Sequence, residues 1–295
     1  MHEVGVAARD GNRLGEGVIW DDRRGRVMWT DIHGRRLWSL DPASGDKVGV
    51  ELSERLACFA PLADGRLVAG FADGLYLFDP RSNQRTLLHA VEPELPTTRL
   101  NDGKVDRRGR LVFGTMDEAD GGAAPIGQVR SYDGATPPRT LLGAVRISNS
   151  IAFSPDGRTM YFADTPERTI WAFDYDPDRG DVGQRRLFAR TPGPGYPDGS
   201  CVDADGCLWN AEWDGSRIVR YAPDGRVDRA IPLPASRITC PAFGGAGLST
   251  LFVTSATAGL DAAARAREPL AGALFAIDVG VRGLADAAFA TETPR

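Results

Sequence analysis

One hydrophobic pattern recurs six times along the chain. Each copy opens on a polar or conformationally special residue. An apolar run follows, then a turn ending in glycine, then a second apolar run. A third run closes on Asp-Pro or Asp-Gly. The first copy reads Gly15-Glu16-Gly17-Val18-Ile19-Trp20, turns between Asp21 and Gly25, and continues Arg26-Val27-Met28-Trp29-Thr30-Asp31. The second opens Leu56-Ala57-Cys58-Phe59-Ala60 and the third Arg99-Leu100-Asn101-Asp102-Gly103. The fourth opens Ile147-Ser148-Asn149-Ser150-Ile151, the fifth Tyr196-Pro197-Asp198-Gly199-Ser200-Cys201, and the sixth Ile238-Thr239-Cys240-Pro241. Apolar runs of about 4–7 residues bounded by Gly, Pro and Asp predict strands. Only residues 259–268, rich in Ala and Arg, predict a helical turn.

A repeat of about 40–50 residues is the period of a four-stranded propeller blade. Six such blades fill the 295 residues. The expectation is an all-β chain, a six-bladed β-propeller with four-stranded blades, in one domain spanning 1–295. Val4-Gly5-Val6-Ala7-Ala8 can supply the outer strand of the last blade and close the ring. A β-sandwich competes, but it gives no reason for six repeats. Tyr161, Trp171 and Trp209 are expected to pack between blades.

Composition narrows the partners. The net charge is -5, and aromatics make up 8% with no basic stripe among them, which argues against nucleic acid. No apolar run has the length of a membrane span, and the first residues lack the pattern of a signal peptide. The expectations are therefore no membrane partner and a cytoplasmic compartment. The four cysteines, Cys58, Cys201, Cys207 and Cys240, form no CxxC pair and read as free thiols packed in strands.

Counting back from each turn glycine exposes the candidate chemistry. Glu16 lies nine residues before Gly25; Asn101, Asn149 and Asp198 each lie eight residues before Gly109, Gly157 and Gly206. The first strand of each propeller blade lines the central channel, so these starts converge near the axis. Ala57 and Thr239 stand near the other two. Two acids and two amides form an oxygen-only set that suits a divalent cation: calcium, magnesium or manganese, with zinc or ferrous iron also admissible. Capping of turns is the plain alternative for any one of them. His2, His33 and His89 all miss the channel-lining starts, so a zinc site built on histidine or a Ser-His-Asp triad lacks parts. No GxSxG, GxGxxG or P-loop occurs.

Several motifs together resemble the SMP-30/gluconolactonase/LRE family, which includes regucalcin and bacterial sugar-acid lactonases. They are Leu14-Gly15-Glu16-Gly17, Arg99-Leu100-Asn101-Asp102-Gly103-Lys104-Val105-Asp106, Gly114-Thr115-Met116, Ser148-Asn149, Ser154-Pro155-Asp156-Gly157 and Pro197-Asp198-Gly199. The resemblance implies a six-bladed propeller with one axial divalent metal ligated by Glu16, Asn149 and Asp198. It implies substrate contacts from Arg99 and Asn101, and from Asp117 or Glu118, between which the register does not choose. Val18 departs from the proline common in the family. The implied activity is hydrolysis of an aldonolactone of the glucono-, xylono-, arabinono- or galactono- type, with Asp198 as general base for the attacking water. Trp213 and Asp214 are placed at the mouth. Non-catalytic alternatives are a calcium-binding regulatory propeller or an interaction propeller. Because a propeller closes its own edges, a monomer is expected.

Overall fold

The computed structural model describes residues 3–290, which leaves His2 outside them. Six four-stranded antiparallel sheets form the blades. β1 (Val4–Ala8) precedes blade one, which comprises β2 (Gly15–Asp21), β3 (Arg26–Asp31), β4 (Arg36–Leu40) and β5 (Lys47–Glu51). Blade two is β6 (Leu56–Pro61), β7 (Leu67–Phe71), β8 (Gly74–Asp79) and β9 (Gln84–Ala90). Blade three is β10 (Thr98–Val105), β11 (Leu111–Asp117), β12 (Gly127–Tyr132) and β13 (Arg139–Val145). Blade four is β14 (Ser148–Phe153), β15 (Thr159–Asp164), β16 (Thr169–Asp176) and β17 (Asp181–Arg190). Blade five is β18 (Tyr196–Val202), β19 (Leu208–Trp213), β20 (Arg217–Tyr221) and β21 (Val227–Pro232). Blade six is β22 (Ile238–Gly244), β23 (Thr250–Ser255) and β24 (Leu274–Asp278), completed from outside by β1 in register Val4↔Ile277. The expected ring closure by Val4–Ala8 is thus present. The Ala/Arg-rich stretch forms α1 (Ala262–Arg267), started by Asp261, whose side chain accepts from the Ala264 N–H at 2.7 Å.

The core lies between blades. Trp209 is fully buried and meets Phe243 of the next blade edge-on, 6.0 Å between ring centroids. Tyr161 packs with Val202, Leu208 and Tyr221 of blade five. Trp171 is half-buried and packs against the cluster shared by blades three and four, while Arg185 lies over its ring and Glu167 accepts from its indole N–H.

Two features position the site. Every inner strand carries a register shift in its pairing with the second strand, between Glu16 and Ile19, Leu100 and Gly103, Asn149 and Ala152, and Pro197 and Ser200 in four of the blades. Such bulges re-aim side chains. Second, residues 279–290 run beneath the ring after β24. Gly283 N donates to Leu248 O, Arg107 Nη1 donates to Ala285 O, and Phe289 stacks on Tyr132 of blade three. Along this segment Asp286 pairs with Lys104, whose side chain is 12% exposed, at 3.4 Å. Among the described residues no helix is long and apolar enough to cross a membrane.

Candidate active site

The bulges explain how four polar side chains reach one place from four blades. Glu16 and Asn149 hold the last paired position before the bulge; Asn101 and Asp198 hold the first unpaired one. The sequence register treated all four as equivalent strand starts. The structure corrects this: two kinds of position are used, because the extra residue offsets the chain by one step. Directly after Glu16 and Asn149 the backbone turns left-handed, at Gly17 (φ 55°) and Ser150 (φ 59°). Glycine adopts that region without strain. Serine does not, and Ser150 is held there by its hydroxyl, which meets Asp198 O at 2.8 Å and Ser200 Oγ at 2.9 Å.

These side chains form a connected wall. Asn101 Nδ2 donates to Asn149 Oδ1 at 3.2 Å and to Ser148 O at 2.9 Å. Asn149 Nδ2 donates to Thr165 Oγ1 at 2.8 Å, and that hydroxyl donates to Pro197 O at 3.0 Å. Each amide nitrogen is thereby committed to protein, while the Asn149 oxygen accepts from Asn101 and the Asn101 oxygen accepts from Arg99 Nη1. Asn210 of β19, fully buried, donates to Asp198 O at 3.0 Å and fixes the backbone beneath that acid.

Glu16 and Asp198 face one another across this wall. Glu16 is half-buried and lines the cavity. Burial, then the charge of Asp102, pushes its carboxyl up to about 8. Burial, then Glu16, then Asp102, raises the Asp198 carboxyl well above its ordinary range. Asp102 itself is raised by burial, although its oxygens accept from Ile151 N and Gly103 N. Carboxylates gathered in this way are stabilised by a cation. Two carboxylates and two amide oxygens are also a hard-donor set suited to a divalent ion. Among the described residues no cluster of three or more His, Cys, Asp or Glu side chains forms a metal site.

Above the acids opens a cavity of about 370 Å³ lined by Glu16, Arg99, Asn101, Asn149 and Asp198, and by His33, Trp213 and Arg237 higher up. Arg99 is 4% exposed, so it is no surface arginine. Its Nε donates to Glu118 at 2.9 Å, and its Nη1 donates to Leu100 O and to Asn101 Oδ1 at 2.7 Å. Nη2 is left over for a ligand. Glu118 also takes both oxygens to Arg55 Nη1 at 2.7 Å. Burial opposes its ionisation, but the bonds from Arg55 and Arg99 outweigh that and hold its carboxyl below the usual range. Neither Asp117 nor Glu118 lines the cavity itself, and the two have different partners. Asp117 is buried at 2% exposure and accepts from the Ala119 N–H, a local turn contact, whereas Glu118 carries Arg99.

The sequence reading set His33 aside for missing a strand start. Yet His33 lines the cavity from the connection after β3, and burial followed by Arg99 lowers its pKa. Arg237 and Thr165 were likewise not singled out. No spacing signal reaches them, because connections at the top face vary independently of strand period. Trp213 lines the mouth as expected; Asp214 pairs with Arg237 at 3.1 Å.

Comparison with known proteins adds a second line of argument. A model of the SMP-30/gluconolactonase/LRE-like region matches residues 14–257. The chain is 45% identical to L-arabinolactonase of Azospirillum brasilense over 301 residues, covering 100% of this chain and 99% of that protein. It is 37% identical to 6-deoxy-6-sulfogluconolactonase of Pseudomonas putida, over 94% and 95% of the two chains. Among solved structures, a calcium-binding protein, regucalcin, from Agrobacterium tumefaciens superposes with a TM-score of 0.93 at 33% identity, over 98% of each chain.

Proposed function

The chain belongs to the SMP-30/gluconolactonase/LRE-like family, and from that premise we propose how it works. It is a sugar lactone hydrolase that opens an aldonolactone to the free sugar acid, with one divalent metal held by Glu16, Asn149 and Asp198. The observation that carries this reading is the pair of buried carboxyls, Glu16 and Asp198, facing one another at the floor of the cavity and flanked by amide oxygens. The calcium-binding neighbour and the lactonases supply the ion class and the substrate class.

A bound divalent ion supplies Lewis acidity at the lactone carbonyl. The chain's own groups do the rest. Asp198, ionised, takes a proton from a water beside it as that water's oxygen bonds to the carbonyl carbon. The ring C–O bond then breaks, and the proton on Asp198 passes to the departing ring oxygen, leaving a hydroxy acid. Arg99 directs Nη2 at the substrate's oxygens, while Glu118 and Asn101 hold the other guanidinium nitrogens. Glu118 therefore serves the substrate through Arg99. Thr165 and Asn210 keep Asn149 and Asp198 in place.

The test is a panel of aldonolactones followed by proton release, with chelation and restoration by calcium, zinc, manganese, magnesium or ferrous iron in turn. Hydrolysis that vanishes on chelation and returns with one of these ions supports the reading. A protein that opens none of the lactones with any of the ions is not a lactonase of this kind.

A further inference from the structure

Blades three and six stand opposite each other in the ring, and each contributes one arginine to the cavity. The two are held in different ways. Arg99 commits Nε and Nη1 to protein acceptors and has one nitrogen left. Arg237, just before β22, commits only Nε, to Asp214 Oδ1 at 3.1 Å. Its guanidinium carbon lies 4.8 Å from the Trp213 ring centroid. Gly259 also approaches it closely: an added Cβ there would lie 2.3 Å from Nη1. The side chain is 17% exposed, and neither Nη nitrogen has a hydrogen-bond partner among the described residues.

Structural arginines elsewhere on this face behave otherwise. Arg168 gives its outer nitrogen to Gly193 O and Gly195 O, and Arg217 gives Nη2 to Pro192 O and Glu212. Arg237 is clamped by an ion pair, an aromatic face and a glycine, yet presents two coplanar N–H donors to a substrate cavity. A fork fixed before binding loses little freedom on binding. Two parallel donors match the paired oxygens of a carboxylate or sulfonate, which a single sugar hydroxyl does not supply.

We propose that Arg237 reads the exocyclic end of the lactone, and that this end can be an acid group, a carboxylate or a sulfonate. This inference rests on the lactonase reading above. The reacting carbonyl lies over Glu16, Asn149 and Asp198, and the exocyclic carbon extends toward blade six. Trp213 covers the apolar face of the substrate, and Asp214 keeps the fork in plane. Activity then extends beyond neutral aldonolactones to lactones of aldaric acids and of sugar sulfonates.

The experiment compares kcat/KM for three lactones of one sugar: the neutral form, the form oxidised to a carboxylate at the exocyclic carbon, and the form carrying a sulfonate there. Arg237→Met keeps the stem on Trp213 and removes the fork. The expected result is that the acid-to-neutral ratio falls by about tenfold or more, through KM, with Arg237→Lys recovering part of it. Whichever acid lactone shows the larger drop identifies the anion. A ratio that Arg237→Met leaves unchanged overturns the proposal, as does a wild-type enzyme that opens the neutral lactone and neither acid form. If no lactone is opened, the lactonase reading has failed, and calorimetry still decides this point. The metal-loaded protein is titrated with an aldaric and an aldonic acid. Preference for the diacid that disappears in Arg237→Met supports the assignment; equal affinities overturn it.

Discussion

Two aspartates of the fifth repeat, five residues apart, have opposite surroundings. Asp203 is fully buried at the lower turn, and its carboxylate accepts from four donors: Asp205 N, Cys207 N, Trp209 Nε1 and Arg220 Nε, at 2.8–3.0 Å. Asp198 is as deeply placed at the upper end, 5% exposed, but faces Glu16, and its carboxyl is driven up by burial and by that neighbour. Burial is therefore no guide to role. What separates a structural acid from a functional one is whether protein donors already meet its needs. Asp203 is complete within the chain. Asp198 instead shares its place with a second carboxyl, Glu16.

The sharpest way to break the comparison is to replace each acid and measure both activity and stability. Asp198→Asn keeps size and one oxygen but cannot accept the water's proton. Turnover is expected to fall by about a thousandfold, within the range for loss of a general base. Stability of the metal-free protein should hold or rise, since one of two opposed carboxyls is gone. If lactone turnover stayed within tenfold of wild type, Asp198 would not be the base.

Asp203→Ala should show the reverse. Breaking a buried ion pair costs about 3–5 kcal/mol, and the low end applies because Asp205 and Asp228 still neutralise Arg220. Denaturant unfolding would read this loss. Protein that remains folded should hydrolyse lactone at close to the wild-type rate, because Asp203 stands at the far end of the strand from the cavity. An activity loss out of proportion to the folded fraction would show that the two ends are coupled.

Metal removal tests the same contrast without mutation. In the chelated protein Glu16 titrates near 8 when folded and near 4.5 when unfolded. Between those values the folded chain holds a proton that the unfolded chain has released. Stability of the metal-free form therefore falls as pH rises through this window. A divalent ion bound by the carboxylates should flatten the slope and raise the melting temperature at the upper end. Melting curves at several pH values, with chelator and with metal, read both effects. A metal-free slope of the opposite sign would mean that Glu16 and Asp198 do not confront one another as described.

Much of this comparison was legible in the sequence, and the reason is periodic. Strand alternation and turn glycines repeat with the blade, so six copies could be aligned on one another. Glu16, Asn101, Asn149 and Asp198 stood out against Ala57 and Thr239. The outer strand Val4–Ala8 and the helical turn near 262–267 were visible for the same local reasons. What the alignment missed is not periodic. The bulges shift Asn101 and Asp198 by one step relative to Glu16 and Asn149, and a bulge in a short apolar strand leaves no mark in composition. His33 and Arg237 come from the connection after β3 and the residue preceding β22, where fold constrains sequence weakly. Residues 279–290 cross beneath the ring on contacts to blades three, five and six, and none of those is implied by local pattern.

The smallest expected effect probes how firmly the functional end is held. Thr165 begins the connection after β15, and its hydroxyl joins Asn149 Nδ2 to Pro197 O, the carbonyl just before Asp198. It therefore ties one proposed ligand to the strand bearing another. Thr165→Val preserves shape and removes both bonds. Loss of such a supporting contact typically costs about 10–100-fold in metal affinity or activity, and the lower figure is expected here because Asn101 still holds the Asn149 oxygen. The loss should appear as weaker metal binding, so raising the metal concentration should restore most of the rate. It should also cost about 1 kcal/mol of stability, as for an ordinary hydrogen bond. A rate deficit that excess metal does not relieve would place Thr165 against the substrate rather than behind the ligand. The cavity wall around Asn149 would then need to be redrawn with Thr165 as a direct contact.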